Sequence, residues 1–503
     1  MSSRSYKTPV SRRFASLAAA LLAAILATSV LLPRALADEL APGEPHDFFD
    51  LSTFASGFVL PTASEFLPDG RLVITEKGGR VLVRRPSGEI VEAGKLAVDD
   101  KTEKGLLNVI RSPNFETTHE LVFYYSAANA PELDKHKIAL IPLGNDDKLD
   151  LSKEKVIVQG LRGPDDHEMG GGLAIDKTGH LLVGVGDTGC RAHKLPEPPY
   201  TPTNYFATCL TNGNGKILRV NLDGSIPEDN PLVHVDQVTA CGEKCGDDPF
   251  VLLPGVPRRD IWVWGVRNPW RLWVDPKTGR VWMGDVGDIA NEEIDVIPPE
   301  GGLHYGWPFR EGAAGHPVME CGRTIPARGT CTEPAYYCRH DTAPGTADAG
   351  CKSINGGLIV DDCRWPDNYR GRYFFGDNAN GRMWTLTPTP ARDGVVPGSR
   401  QDFAQADGFV VDFDMGPDGG LYVTVMRIPP EPSKVLRIAP RLPRTCEAEE
   451  VAPPRPVRRV AVAPPAPTVK PAKPRSRRLV LLGVLAFGFL VAAALVAIET
   501  RNS

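Results

Sequence analysis

Four stretches of the chain repeat one local pattern, a tight turn closed by glycine and then a short strand. They are Pro68-Asp69-Gly70 before Arg71-Leu72-Val73-Ile74, Lys177-Thr178-Gly179 before His180-Leu181-Leu182-Val183, Lys277-Thr278-Gly279 before Arg280-Val281-Trp282-Met283, and Pro417-Asp418-Gly419 before Gly420-Leu421-Tyr422-Val423. Glycine accepts the positive φ such turns require, and the branched, aliphatic and aromatic residues after it suit a pleated, packed strand. Between the copies run short apolar segments punctuated by Gly, Pro and Asp, without the amphipathic helices a parallel sheet would need. A hairpin-plus-strand unit recurring in this way predicts an all-β fold, a β-propeller over residues 45–445, with an irregular β-sandwich as the alternative. Four copies over that length leave room for about six blades.

The rest of the composition is compatible with such a core. The chain has 503 residues, 42% hydrophobic and 24% charged, with a formal net charge of -5. Basic residues are not in excess, so small molecules are expected as partners and no nucleic acid. At the start, Arg12 and Arg13 precede an apolar run from Phe14 to Leu32, and Ala35-Leu36-Ala37 precedes Asp38. That order predicts a signal peptide over 1–37, with an uncleaved anchor helix or a twin-arginine export signal as alternatives.

The cysteines point to the same compartment. All ten, from Cys190 to Cys446, lie between the export signal and the C-terminal apolar segment. An even number in an exported chain favours disulfides, whose pairing spacing alone does not reveal. Zinc is the alternative, but no histidine stands at ligand spacing, and the absence of Cys-x-x-Cys-His leaves covalent haem unsupported. Residues 447–478, rich in Pro, Val, Ala and basic residues, predict a semi-rigid tether. The uncharged run 479–498 is long enough for a transmembrane anchor. The exported domain is therefore placed at a periplasmic or extracellular membrane face, although Arg475, Arg477 and Arg478 before the anchor outnumber Arg501 after it, against the positive-inside tendency.

The densest stretch for chemistry is 261–308. It holds Arg267-Asn268-Pro269, Gly284-Asp285-Val286-Gly287, the pair Glu292-Glu293, and Tyr305-Gly306-Trp307-Pro308. In this order and spacing the block resembles the signature of the soluble pyrroloquinoline-quinone (PQQ) dependent sugar dehydrogenases, the glucose/sorbosone dehydrogenase family. Further segments resemble that family in register: 57–81, Gly105-Leu106-Leu107, Asp166-His167-Glu168-Met169-Gly170-Gly171-Gly172 with Gly186-Asp187, Gly215 to Pro227, Ser353 to Gly357, and Arg370 to Tyr373.

The resemblance implies a six-bladed propeller that oxidises an aldose, or a related alcohol, to its lactone. That chemistry needs a base for the hydroxyl proton and an acceptor for the hydride. The resemblance assigns the base to His167, whose imidazole titrates near neutrality and whose tautomer Asp187 could fix. It makes Arg267, with Asn268 beside it, the cofactor and oxyanion contact, and puts Glu103 and Asp166 on the substrate side. Calcium on the cofactor would be held by the backbone carbonyls of Gly287 and Asp288, and a second, structural calcium by Glu293 and Tyr305. Taken alone, Glu292-Glu293 reads as a solvated loop face.

Two departures from the family pattern stand out. Gly172 occupies a place where the family commonly has arginine, in a loop one residue longer. The late cations that hold PQQ carboxylates have no direct match, and Lys352 and Arg382 are the candidate substitutes; nearby Asp377 would repel an anionic cofactor unless metal-bound. Electrons would leave to an extracytoplasmic quinone or cytochrome. The rival functions are a partner- or glycan-binding propeller resembling the hedgehog-interacting proteins and, behind it, a calcium-dependent lactonase.

Overall fold

A computed structural model describes residues 37–163, 167–189, 206–239, 254–312, 314–315, 331–341 and 348–446. The export segment before Ala37, Asp166, the tether and the apolar run 479–498 lie outside these residues. Among the described residues no helix is long and apolar enough to cross a membrane.

Six antiparallel sheets, five of four strands and one of five, make the six blades of a β-propeller, each running outward from the axis in chain order except where N-terminal strands complete blades 5 and 6. Their innermost strands are Pro61–Phe66, Leu106–Arg111, Gly170–Ile175, Pro269–Val274, Ile354–Ile359 and Phe409–Met415. Each touches the next, and the last returns to the first. Every copy of the sequence repeat is the turn between the first and second strands of a blade, in blades 1, 3, 4 and 6. Gly70, Gly179, Gly279 and Gly419 have φ of 84°, 90°, 76° and 77°, and the aspartates at these turns accept local backbone amides, as Asp176 does from Thr178 at 2.8 Å. Blades 2 and 5 use longer connections there, Ser112–His119 and Val360–Arg372, which is why the pattern shows four copies for six blades.

Burial follows position in the blade. The second strands of blades 1, 3, 4 and 5 are buried along their whole length, sandwiched between neighbouring sheets, whereas the outermost Ile90–Lys95 is mostly exposed or half-buried. Near the axis the sheets crowd. A Cβ on Gly284 would stand 2.2 Å from the Gly356 amide nitrogen of the next blade, so only glycine fits there.

The ring is closed by residues distant in sequence. Phe49–Phe58 supplies the outermost strand of blade 6, pairing with Ser433–Pro440, and Glu39–Leu40 adds an edge to blade 5 ahead of the expected start at 45. Phe49 packs its ring 4.8 Å from Trp365 and 4.9 Å from Tyr369, measured between centroids. The disulfide Cys363–Cys446 ties the end of the described chain to blade 5, and Cys338–Cys351 links the outer strand of blade 4 to the approach to blade 5. Cys209 and Cys331 are also disulfide-bonded. Cys190, Cys241, Cys245 and Cys321 lie outside the described residues.

Charges knit the inner strands. Arg271 of blade 4 donates to Asp412 of blade 6 at 2.8 Å and to the Thr62 carbonyl of blade 1, while Asp412 accepts the Ser64 amide at 2.9 Å. Further along, Asp414 accepts the Phe66 amide at 2.8 Å. Burial, with the Asp412 charge adding to it and the Phe66 amide opposing, pushes Asp414 up to about 7. Folding therefore binds a proton that the unfolded chain, with an Asp pKa of about 3.9, releases. The corresponding stability is complete below about pH 4 and is lost as pH climbs to about 7. Urea unfolding across that window is expected to show a smaller decline for Asp414→Asn than for the parent, and equal declines would refute the assignment.

A polar cavity at one end of the propeller axis

Two kinds of backbone position converge at one mouth of the central channel, the starts of the innermost strands and the residues just after the second strands. They enclose a cavity of about 390 Å³, within the range of small-molecule sites. Lys77, Glu103, Glu168, Arg267, Asp288 and Lys352 supply its charged groups.

Arg267 is the organising residue. It is 5% exposed and sits on the turn from blade 3 into blade 4. Asp285, at the end of the neighbouring strand, accepts the Arg267 amide at 2.9 Å and the Asn268 amide at 2.6 Å, which fixes the turn. The guanidinium donates to the carbonyls of Val286, at 2.9 Å, and Gly287, and to the carboxylates of Glu168 and Asp288, the latter at 3.2 Å. Burial opposes its charge, but Glu168, Asp187 and Asp288 outweigh it and hold the arginine protonated. Asn268 lines the cavity and accepts the Gly170 amide at 2.8 Å, so it also anchors the glycine-rich loop.

His167 is exposed and is not among the residues lining the cavity; its neighbour Glu168 is. The Asp187 carboxylate accepts from the Gly189 amide at 2.8 Å and the Trp307 indole at 2.7 Å. It braces the Trp307 ring, over which Arg267 lies at 5.5 Å. Glu103 lines the cavity and accepts the Glu168 amide at 2.7 Å.

The late cations divide. Lys352 lines the cavity, with its ammonium on the His340 carbonyl at 2.5 Å. Arg382 does not; it stacks over Trp384 and faces Asp402 at 3.8 Å on the outside of blade 5, because its strand position points away from the axis. Asp377 also needs correction as a repulsive group. It is fully buried outside the cavity lining and accepts the amides of Lys352, Ser353, Ala379 and Asn380, so it shapes the loop that carries Lys352. Gly172 has no room for the side chain common in the family, since a Cβ there would lie 2.7 Å from Leu272.

Glu292 and Glu293 are no solvated face. Glu292 is fully buried and accepts the amides of Gly287 at 3.1 Å and Ile354 at 2.9 Å, with His340 at 2.6 Å. Glu293 joins Asp285 and Asp295 in a buried carboxylate cluster whose oxygens lie within 4.8 Å of one another, and both Asp295 oxygens lack hydrogen-bond partners. Tyr305 is buried nearby, its hydroxyl donating to the Val296 carbonyl at 3.0 Å. Burial, reinforced by neighbouring acids, raises the pKa of both Glu293 and Asp295. A divalent cation suits this donor set.

The residues also fit an anionic quinone. Lys77, Arg267 and Lys352 face the cavity as cations, and Gly287 and Asp288, the expected calcium-carbonyl positions, line it as well. Lys77 and Glu168 escaped sequence reasoning. Position offers a signal for Lys77, because it follows its blade's second strand just as Val286 and Asn378 follow theirs.

The comparisons agree with this architecture. A family model described as Glucose / Sorbosone dehydrogenase matches residues 58–241 and 234–427. The aldose sugar dehydrogenase YliI of Escherichia coli is 24% identical over 396 residues, covering 76% of this chain and 90% of that protein. Quinoprotein glucose dehydrogenase B of Acinetobacter calcoaceticus is 28% identical over 279 residues, 52% of each chain. The crystal structure of the soluble aldose sugar dehydrogenase from Escherichia coli in its apo form superimposes with a TM-score of 0.60 at 21% identity, covering 78% of this chain and all of that one. With the family model matching most of the propeller and its signature residues gathered at one channel mouth, the chain belongs to the glucose/sorbosone dehydrogenase family.

Proposed function

We propose that this protein is an exported, membrane-tethered dehydrogenase that oxidises an aldose sugar, or a related alcohol, to its lactone with PQQ as hydride acceptor. The observation that carries the reading is the axial cavity, whose lining brings the cations Lys77, Arg267 and Lys352 together with the carboxylates Glu103 and Glu168. Cations suit the carboxylates of the quinone, and acidic side chains suit sugar hydroxyls. When bound, PQQ supplies an ortho-quinone that takes the hydride. Arg267, held by its carboxylate and carbonyl partners, would place positive charge against the quinone oxygen, and Lys77 and Lys352 would hold carboxylates.

Glu103 and Asp166 belong to the substrate side of this reading. In this reading His167 takes the hydroxyl proton as general base. Calcium belongs at the Gly287 and Asp288 carbonyls and, separately, in the cluster of Asp285, Glu293 and Asp295. Electrons then pass to an extracytoplasmic quinone or cytochrome.

The test is titration of PQQ with calcium into the purified full-length chain, followed by an aldose panel with an artificial electron acceptor. Saturable binding with sugar-dependent dye reduction is expected. No binding at micromolar quinone by a folded sample would shift the reading to a partner-binding propeller.

A further inference from the structure

We infer that His340 is a positioning residue of the cofactor site, clamping the loop of Gly287 and Asp288 on one side and the side chain of Lys352 on the other. It extends the quinone-binding reading above and rests on it.

Three contacts converge on this one residue, which follows Tyr336–Arg339, the outermost strand of blade 4. First, its ring Nε2 meets Glu292 Oε1 at 2.6 Å. The other oxygen of that fully buried carboxylate accepts the amides of Gly287 at 3.1 Å and Ile354 at 2.9 Å, so it joins the loop after the second strand of blade 4 to the innermost strand of blade 5. Second, the His340 amide donates to the Ala290 carbonyl at 2.9 Å, further along the same loop. Third, its carbonyl accepts the Lys352 ammonium at 2.5 Å.

Gly287, Asp288 and Lys352 all line the axial cavity, so one residue holds two parts of its wall. The frame around it is covalent. The disulfide Cys338–Cys351 joins the strand before His340 to the residue before Lys352, and Arg339 pairs with Ala349 between them. Removing the imidazole would leave the Glu292 carboxylate desolvated without this partner, which costs more than the bond itself contributes. Groups that orient a metal's ligands from one bond away alter affinity about 10- to 100-fold when removed, and the same scale is expected here.

The charge around the ring gives the clamp a pH signature. The Glu292 hydrogen bond and charge, with the Glu311 charge adding and burial and the Lys352 charge opposing, hold His340 above the ordinary histidine value. Glu292 faces it from blade 4, Glu311 from the short strand Arg310–Glu311, and Lys352 from the approach to blade 5. The contribution of the pair is complete below about pH 6.5, the unfolded value, and is lost as pH rises through the raised one.

The experiment titrates PQQ with calcium into the full-length parent, His340→Ala and His340→Gln between about pH 5.5 and 8.5. His340→Ala is expected to weaken quinone binding about 10- to 100-fold while turnover at saturating quinone stays near the parental value, because the residue acts through Glu292 and Lys352. His340→Gln keeps a donor toward Glu292 with no proton to lose. It should recover most of the affinity and lack the ionisation that the parent's affinity shows above about pH 6.5. Unfolding of the cofactor-free proteins identifies a merely structural role: a lowered midpoint in His340→Ala beside parental quinone affinity overturns the inference. So does an affinity of His340→Gln as low as that of His340→Ala, or one pH profile shared by parent and His340→Gln. Should His340→Ala not fold, the profile of His340→Gln decides alone. A parent that binds no quinone removes the proposed function and this assignment together; a quinone-binding parent matched by His340→Ala removes this assignment alone.

Discussion

Arg267→Gln is expected to abolish saturable quinone binding and to lower sugar-dependent dye reduction by roughly 10³-fold or more. The guanidinium is buried and joins two carboxylates, Glu168 and Asp288, to the carbonyls of Val286 and Gly287. Glutamine is too short to reach them all and carries no charge, so two acids would face the cavity without their cation. Breaking one side of a buried ion pair costs about 3–5 kcal/mol, part of it in stability and part in ligand binding. The turn itself should survive, because Asp285 holds it through the main-chain amides of residues 267 and 268. Circular dichroism with quinone titration separates the two effects. A folded variant with parental quinone affinity would remove Arg267 from the cofactor site.

The second large effect concerns calcium and the fold. Asp285, Glu293 and Asp295 crowd their oxygens within 4.8 Å in the interior of blade 4. Three ionised carboxylates cannot share so small a volume without a cation or protons. Binding of calcium to the folded chain alone should raise stability by RT ln(1 + [Ca]/Kd), about 2.7 kcal/mol at a hundredfold excess over Kd. Chelation is therefore expected to lower the unfolding midpoint by an amount that grows with the calcium concentration used before it. Glu293→Gln should remove most of that dependence while leaving quinone binding measurable, since Glu293 does not line the cavity. A parent protein whose midpoint ignores both calcium and chelator would refute the assignment.

The hairpin repeat was legible because it is local. A glycine at positive φ and a branched strand after it are specified within seven residues, and Gly70, Gly179, Gly279 and Gly419 all occupy the same turn of their blades. The block 261–308 was legible for the same reason, since Arg267, Asn268, Gly287 and Asp288 reach the cavity from one continuous strand-turn-strand segment.

Other features depend on register and ring closure, which no local pattern encodes. Phe49–Phe58 completes blade 6 with a strand more than 370 residues away, and Lys77 and Lys352 come to line one cavity only once the blades have closed on one another. Asp377 looked like a charge opposed to an anionic ligand until its carboxylate proved to be occupied by backbone amides. The loop that opens blade 3 shows the division most sharply. The sequence alone placed ionisable groups there, while the left-handed φ of Glu168 is held by the Glu103 carboxylate, from a loop more than sixty residues earlier, and by the Thr188 amide, contacts that only the closed ring of blades supplies.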